Sequence, residues 1–222
     1  MCGIIGHLAF DEKYRISESF IQSLNQFLRH RGPDSEGTYL KGDIALAMRR
    51  LSIIDLEGGD QPIFSADGRY VIIFNGEIYN YQEIKADLQR KGYRFKTKSD
   101  TEVLMKAIMQ YGWQGLDKCE GMWAFALYDE NDGSLLLSRD RFSEKPLYLY
   151  QDKTGLYFAS EAKFIFALLG HKLEINYDHL YRYLVNGYKA LYKKSHTFFK
   201  GLKEVPSSSV LKIDRQGKET LE

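Results

Sequence analysis

The sequence predicts an α+β fold in which antiparallel sheets are covered by helices. Apolar, strand-like runs at residues 122–129 and 134–138 are separated by Asn131-Asp132-Gly133, a hairpin signal. A second pair of strand-like runs, 147–150 and 156–159, is also joined by a short turn. Helix-start signals lie on either side of these strands. Short turns make neighbouring strands antiparallel, and one-sided apolar helices need a sheet to cover, so a layered α+β domain follows.

Composition limits the class of protein. A chain of 222 residues suits one large domain or two small ones, and 44% hydrophobic residues supply a substantial core. With 31 Lys+Arg against 30 Asp+Glu, nothing indicates a nucleic-acid or membrane surface. The sequence has no apolar run of about 18 residues, no signal-peptide pattern and no histidine spacing typical of a metal site. Two cysteines, Cys2 and Cys119, form no disulfide framework, so we expect a cytoplasmic protein without a metal.

The first half of the chain predicts strands and one helix. Residues 2–10 read as a strand. Apolar residues from Phe20 to Leu28 recur at helical spacing behind Ser17, a helix N-cap candidate. Residues 29–37 are dense in turn-forming and charged residues and predict a loop. Strands are predicted at 44–51 and 70–74.

The second half begins with two capped helices. Asn80 with Glu83, and Ser99 with Glu102, each form a capping-box pattern before an apolar helical run. Glycines at 92 and 112 mark the ends of these helices. After the strands named above, helices are predicted at 162–169 and 177–185 and a last strand at 210–214. Because the chain stops soon after a turn-like stretch, we expect it to be cut from a larger protein.

Cys2 is the strongest candidate for chemistry. A cysteine after the initiator methionine becomes the first residue once Met1 is removed, and its free α-amine then lies beside its thiol. An α-amine of pKa near 7.7–8.0 leaves roughly a tenth of itself as free base at pH 7, enough to accept the thiol proton. A cysteine at this position carries little weight alone, so further polar residues must support it.

Three further polar residues lie where elements begin or end. Arg50 is near the end of one predicted strand, Asn75 is just past the end of another, and Asp100 is in the first turn of a capped helix. Since antiparallel neighbours bring the start of one strand beside the end of the next, we expect Cys2, Arg50 and Asn75 at one edge of a sheet. The helix dipole is expected to keep Asp100 ionised. Taken singly, the three are equally well explained as a salt bridge, a tight turn and a helix-start residue.

Several motifs in one order resemble a known family, the N-terminal glutaminase domain of glutamine-hydrolysing asparagine synthetases, a class II glutamine amidotransferase. The matching runs extend from residue 1 to about 210 and are Met1-Cys2-Gly3-Ile4, His30-Arg31-Gly32-Pro33-Asp34, Arg50-Leu51-Ser52-Ile53-Ile54-Asp55, Asn75-Gly76-Glu77-Ile78-Tyr79-Asn80, Ser99-Asp100-Thr101-Glu102, Glu120-Gly121-Met122-Trp123-Ala124-Phe125-Ala126, and Arg139-Asp140 with Pro146-Leu147-Tyr148. The resemblance implies the N-terminal nucleophile (Ntn) hydrolase fold, an αββα four-layer sandwich with two antiparallel sheets between helical layers. It also implies a domain over residues 1–215, with 216–222 starting a linker to an absent synthetase domain.

The resemblance further implies hydrolysis of L-glutamine to glutamate and ammonia. Cys2 attacks the side-chain amide, while the Asn75 side chain and the Gly76 backbone N–H hold the oxyanion. Arg50 grips the α-carboxylate, as suits the planar fork of a guanidinium, and Asp100 receives the α-ammonium. The remaining substrate-binding residues that the resemblance implies are Leu51, Ser52, Ile53, Ile54, Asn75, Gly76 and Glu77.

The sequence also departs from the family. Ser143-Glu144 stands where a glycine and often an aliphatic residue are usual, and Ser207-Ser208 stands where Pro-Gly is more usual. The chain contains no Ser-Gly-Gly-Leu-Asp-Ser run, so no cofactor is expected here, and ATP and Mg²⁺ belong to the missing synthetase domain. Three alternatives stay open for the activity: an asparagine-type acceptor such as aspartate, a sugar-acid acceptor in polysaccharide synthesis, or a non-catalytic glutamine-binding or docking module. Expected partners are L-glutamine and the synthetase domain, and a homodimer stays open.

Overall fold

Two antiparallel sheets form the centre of the molecule, which is seen in a computed structural model describing residues 1–190 and 196–221. The strands of the first sheet are β1 (Gly3–Ala9), β2 (Ser35–Lys41), β3 (Ile44–Arg50), β8 (Tyr148–Gln151), β9 (Gly155–Ala159) and β10 (Lys203–Glu204). Those of the second are β4 (Ile63–Phe64), β5 (Tyr70–Ile78), β6 (Gly121–Asp129), β7 (Leu135–Arg139), β11 (Ser209–Ile213) and β12 (Glu219–Leu221). The spatial orders are β10-β8-β9-β1-β3-β2 and β12-β11-β7-β6-β5-β4.

Helices cover the outer face of each sheet. They are α1 (Glu18–Phe27), α2 (Tyr81–Arg90), α3 (Asp100–Tyr111), α4 (Ala162–Leu169) and α5 (Tyr177–Asn186). Within the described ranges, none of these helices is long and apolar enough to cross a membrane. Helices α1 and α4 pack on the first sheet, and α2 and α3 on the second. The two sheets face each other across a shared apolar core, so the layers run helix, sheet, sheet, helix as expected.

Side-chain alternation along the strands builds these layers. On β5, Ile73 points into the core between the sheets, while Ile72 and Phe74 point to the helix layer. On β1, Ile4 and Ile5 divide in the same way between the central core and the helix layer. Strands β1 and β5 are therefore each buried on both faces, which explains why their sequences are almost continuously apolar.

Most predicted elements are confirmed. Helix α4 has the predicted bounds, and α1 begins after Ser17, whose Oγ accepts a hydrogen bond from Phe20 N–H at 3.2 Å. The hairpin of β6 and β7 turns at the predicted Asn131-Asp132-Gly133. The resemblance to an Ntn hydrolase architecture is thus met by the sheets and layers observed.

Two predictions about β5 are wrong. The strand does not end at residue 74 but runs to Ile78, because β6 pairs with it as far as Gly121. Asn75 and Gly76 therefore lie inside a strand and do not form a tight turn. Cys2 and Arg50 belong to the first sheet and Asn75 to the second, so these residues do not share one sheet edge. They meet across the gap between the two sheets.

The capping boxes are also wrong in detail. The Asn80 side chain caps no helix N–H and instead contacts Lys118 O and Glu120 N, each at 2.9 Å. Ser99 does cap α3, but Glu102 accepts hydrogen bonds from Lys96 and Thr97 and does not return to Ser99. Local sequence patterns predicted where the two helices begin. The Asn80 and Glu102 side chains, however, form hydrogen bonds with backbone groups outside the predicted capping boxes.

Extra strands appear in two stretches expected to lack them. Part of the loop predicted at 29–37 belongs to β2, which pairs with β3 from Ser35 onward. Strand β12, at residues 219–221, pairs with β11, so the second sheet continues past residue 215. Both strands lie at sheet edges, where short and polar sequences are tolerated. The boundary between domain and linker stays a prediction.

Candidate active site

The candidate site is a cavity of about 260 Å³ between the start of β1, the end of β3, β5 and the first turn of α3. Its walls contain most of the predicted site residues. The lining residues are Met1, Cys2, Arg50, Leu51, Ile53, Ile54, Gly59, Gln61, Phe74, Asn75, Gly76, Glu77, Ser99, Asp100, Thr101, Met122 and Lys145.

Strand pairing places Cys2 beside Arg50. The register of β1 on β3 sets Gly3 opposite Arg49, so the residue before β1 adjoins the last residue of β3. Cys2 is half-buried, and its Sγ lies 3.4 Å from Leu51 N and 3.6 Å from Leu51 O. Burial raises the pKa of the Cys2 thiol, and the hydrogen bond with the Leu51 backbone opposes that rise. The sulfur is therefore held in place but needs help to ionise.

The segment that begins at residue 29, within the predicted loop, also holds Cys2. Arg31 Nε donates to Cys2 O at 2.9 Å, and Arg31 Nη1 pairs with Glu161 Oε1 at 2.9 Å. His30 Nε2 contacts the same Glu161 oxygen, also at 2.9 Å. These contacts immobilise the backbone that carries the thiol, and they involve no group that reaches the cavity.

The edge of β5 facing the cavity is open because β4 is only two residues long and pairs with residues 71 and 72. Beyond β4, Phe74 N–H donates to Gln61 Oε1 at 2.6 Å and Ile78 N–H donates to Asp100 Oδ2 at 3.0 Å. Successive N–H groups in a strand point to opposite edges, so Gly76 N–H shares this edge with the other two. Gly76 lines the cavity, and its N–H is thus directed toward it.

Asn75 points from β5 toward the first sheet, on the same face as Ile73. The side chain is only 1% exposed, and among the described residues its Nδ2 has no hydrogen-bond partner. An unpaired buried amide costs about 1–3 kcal/mol, so such groups are rare without a functional reason. The amide of Asn75 and the N–H of Gly76 together supply two donors to the cavity that contains Cys2.

Gly76 is required by a close strand approach. A Cβ at this position would lie 2.2 Å from Met122 O and 2.8 Å from Trp123 Cα, both backbone atoms of β6. Any larger residue would push β6 away and move the neighbouring Asn75. The glycine thus permits the strand geometry that presents both donors.

Asp100 is the first residue of α3 and is 4% exposed. Burial raises the pKa of its carboxyl, and the N–H groups of Ile78 and Thr101 oppose this rise. That Asp100 is ionised stays a prediction. A cation held close to this carboxyl would favour its ionised form.

Arg50 is 4% exposed, and both of its terminal nitrogens are engaged by its own loop. Nη2 donates to Ile54 O at 2.8 Å and Asp55 O at 2.7 Å, and Nη1 donates to Asp60 Oδ1 at 3.1 Å. The guanidinium therefore shapes the loop at 51–61. Among its partners, the Asp60 side chain is mostly exposed, at 65%.

The structure separates the predicted loop residues. Leu51, Ile53 and Ile54 line the cavity, whereas Ser52 does not and instead donates its N–H to Asp34 Oδ2 at 2.8 Å. Glu77, on the same face of β5 as Asn75, also lines the cavity.

Several lining residues were missed by sequence reasoning, among them Gln61 and Lys145. Gln61 connects the open edge of β5 to α3, because its Oε1 accepts from Phe74 N–H and its Nε2 donates to Thr101 Oγ1 at 3.4 Å. Lys145 enters the cavity from the segment before β8. Gln61 lies beside a proline in an irregular stretch and Lys145 in a turn, so no periodicity or capping signal marks either residue. The described residues contain no group of three or more His, Cys, Asp or Glu side chains arranged to hold a metal ion.

Comparison with known proteins decides the family. A family model described as a glutamine amidotransferase domain matches residues 1–222. The chain belongs to this family. Asparagine synthetase [glutamine-hydrolyzing] 1 of Bacillus subtilis is 41% identical over 189 residues, which are 83% of this chain and 29% of that protein. Asparagine synthetase [glutamine-hydrolyzing] 3 of the same organism is 30% identical over 220 residues, 98% of this chain and 35% of that protein.

Solved structures support the fold. A glutamine phosphoribosylpyrophosphate amidotransferase from B. subtilis aligns with a TM-score of 0.70 at 20% identity, covering 100% of this chain and 49% of that one. An allosteric regulatory enzyme of purine biosynthesis aligns with a TM-score of 0.71, also at 20% identity, covering 100% and 48%. The chain is thus a class II glutamine amidotransferase domain of the asparagine synthetase type, and this family implies glutamine as substrate. It spans about a third of the length of the asparagine synthetases that it matches.

Proposed function

We propose that this domain hydrolyses L-glutamine to glutamate and ammonia, with Cys2 as nucleophile after removal of Met1. One observation carries the proposal: Asn75 Nδ2, a buried amide donor with no hydrogen-bond partner among the described residues, lies in the same cavity as the Cys2 thiol. Its position near Gly76 N–H suits an oxyanion formed when the thiolate attacks a carbonyl. The N-terminal position of Cys2 is consistent with a nucleophile of this type.

The chemistry has two steps. The α-amine of Cys2 takes the thiol proton, and the thiolate attacks the side-chain amide carbon of glutamine. The oxyanion is held by Asn75 and Gly76 until the C–N bond breaks. The amine returns its proton to the leaving nitrogen, which departs as ammonia and leaves a thioester. Water, deprotonated by the same amine, then attacks the thioester and releases glutamate and the thiol.

The ends of glutamine are assigned to Arg50 and Asp100. The α-ammonium supplies the cation that the buried Asp100 carboxyl lacks, since burial raises the pKa of that group. At Arg50, the α-carboxylate must share or replace partners that the guanidinium already has. The contact with Asp60 is the easiest to exchange, because that carboxylate is 65% exposed and such a pair contributes little. Leu51, Ile53, Ile54 and Glu77 complete the pocket, with Ser52 supporting the loop.

The fate of ammonia follows from the relatives. Since the relatives named above are asparagine synthetases of about three times this length, we infer that the ammonia amidates a carboxylate such as aspartate in an ATP- and Mg²⁺-dependent synthetase domain. Residues 216–222 would begin the connection to that domain. An acceptor of another class, such as a sugar acid, would use the same glutaminase chemistry.

A glutamate-release assay with glutamine tests the proposal. Intact mass first establishes that Met1 has been removed. We expect no release by Cys2→Ala and a rate about 100- to 1,000-fold lower for Asn75→Ala, the loss typical of one oxyanion donor. Cys119→Ala is the matched control, because this second thiol is fully buried outside the cavity. Equal release by wild type and Cys2→Ala would refute the proposal.

Glutamine binding separates the enzyme from a non-catalytic module. Calorimetry on Cys2→Ala should detect glutamine binding that Asp100→Asn weakens, because the ammonium then loses its anion. A processed wild-type protein that binds glutamine without releasing glutamate would instead support a binding or docking role.

A further inference from the structure

Lys145 is a buried cation that the proposed chemistry does not use. The residue is only 7% exposed and lines the same cavity as Cys2 and Asn75. Within the part of the chain that the structure describes, no carboxylate lies within ion-pairing distance of its Nζ. An ammonium that opens into a cavity and has no counter-ion of its own is placed to hold an anion there.

The turn before β8 holds Lys145 in place through its backbone. The Asp140 carboxylate, which is 1% exposed, accepts Lys145 N–H at 3.0 Å along with three other backbone N–H groups, from Trp123, Phe142 and Glu144. On the other side, Arg139 Nε donates to Lys145 O at 3.0 Å. None of these bonds uses the lysine side chain. The turn is therefore rigid whatever side chain occupies position 145.

Three cationic groups favour ionisation of Cys2 in the chain that keeps Met1: the Met1 α-amine, Arg50 and Lys145. Removal of Met1 replaces the first with the α-amine of Cys2, which must be neutral to act as a base. Arg50 is bound to loop oxygens and Asp60. The cavity also contains two carboxyl groups, Glu77 and Asp100, which oppose a thiolate. Arg31 faces the Cys2 carbonyl but is paired with Glu161. Among the described residues that line the cavity, Lys145 is thus the cationic side chain with no carboxylate partner.

We propose that Lys145 is a positioning residue that holds negative charge at Cys2, first on the thiolate and then on the intermediate formed with substrate. The proposal rests on the glutaminase function for its biological meaning, but the charge interaction with the thiol exists without substrate. A positive charge near a thiol lowers its pKa, commonly by about one unit or more at short range. Burial raises the pKa of the Cys2 thiol, and the charge of Lys145 opposes that rise.

Alkylation of the thiol tests this without glutamine. Met1-free wild type, Lys145→Met, Lys145→Gln and Lys145→Arg are treated with iodoacetamide from pH 6 to 10, and peptide masses distinguish Cys2 from Cys119. Both neutral variants should raise the midpoint of the alkylation profile by about one unit, which is roughly a tenfold slower reaction at pH 7. Lys145→Arg should restore most of the rate. Lys85→Met, a half-buried lysine outside the cavity, should match wild type.

The outcomes are separable. An unchanged midpoint in a neutral variant that unfolds at the wild-type temperature overturns the assignment, because a purely structural lysine would not move the thiol profile. The two neutral variants differ in polarity, so either one that folds suffices. If the midpoint moves while wild type releases no glutamate, the Lys145 assignment stands and the glutaminase proposal fails. If both hold, kcat for glutamate release should fall by a similar factor in the neutral variants.

Discussion

Stability at acid pH should be limited by His7. This histidine lies in β1, is 1% exposed and stacks on Tyr157 with ring centroids 4.5 Å apart. Among the described residues its Nε2 has no hydrogen-bond partner, and a Cβ on Gly155 would approach that atom to 2.5 Å. Burial lowers the pKa of His7 from 6.5 to about 4, with Asp152 opposing weakly.

The magnitude follows from linkage. Between pH 6.5 and 4 the unfolded chain protonates His7 and the folded chain does not, so the unfolded state binds more protons and stability falls as pH falls. At about 1.36 kcal/mol per pKa unit, the drop from 6.5 to about 4 corresponds to about 3 kcal/mol when complete below pH 4. By pH 5 roughly 2 kcal/mol should already be lost. This is a large part of a typical domain stability of about 5–15 kcal/mol.

Urea unfolding of wild type and His7→Phe between pH 8 and pH 4.5 measures this contribution. Phenylalanine keeps an aromatic ring against Tyr157 and cannot be protonated. Carboxylates contribute equally to both proteins, so the difference in unfolding free energy isolates His7. That difference should shift by about 2 kcal/mol in favour of His7→Phe between pH 7.5 and 5. His171→Gln, at an exposed histidine, is the control. A difference that stays constant with pH would refute the reasoning.

Three further predictions concern the backbone. Ser143 and Ser208 have φ of 56° and 52°, the left-handed region that favours glycine, so Ser143→Gly and Ser208→Gly should each stabilise by about 0.5–1 kcal/mol in chemical unfolding; a loss of stability would contradict this. Asp140→Asn should lower the free energy of unfolding by about 2–4 kcal/mol, because an amide NH₂ would face backbone N–H groups whose hydrogen bonds the carboxylate now accepts. A urea midpoint equal to that of wild type would argue against this account. Gly76→Ala should lower both the melting temperature and glutamate release, since its Cβ would meet the backbone of β6; full activity would show that the strand can yield.

The two departures from the family pattern gain a structural reason. The sequence motifs show only that Ser143 and Ser208 occupy positions where the family usually has glycine. Their positive φ angles explain why glycine is usual there. Ser143 O accepts a hydrogen bond from Arg139 Nη2 at 3.1 Å, and Ser208 N donates to Asp140 O at 3.0 Å. Serine is thus accommodated by a network that would hold the same turns for glycine.

Part of the candidate site was predictable because it depends on local pairing. Antiparallel neighbours place the start of one strand beside the end of the next, and the pairing of β1 with β3 brings Cys2 to Arg50 in this way. The first turn of α3, with Asp100, follows from the Ser99 cap. Asn75 was misplaced because its sequence, Asn-Gly, favours a turn in isolation, whereas pairing with β6 over nine residues keeps the strand extended. Lys145 and Gln61 carried no local signal.

The sequence by itself determined the local preferences: helix caps, the β6–β7 hairpin, strand alternation and the motifs that indicate a glutamine amidotransferase domain. These depend on neighbours within a few residues, so they can be read from order alone. Only the tertiary structure decided that two sheets meet at Cys2, that the short β4 leaves the edge of β5 open, and that Lys145 lines the same cavity as the thiol. It also decided which carboxyl, thiol and imidazole groups are hard to ionise, because desolvation depends on everything packed around a group and not on the residues beside it in the chain.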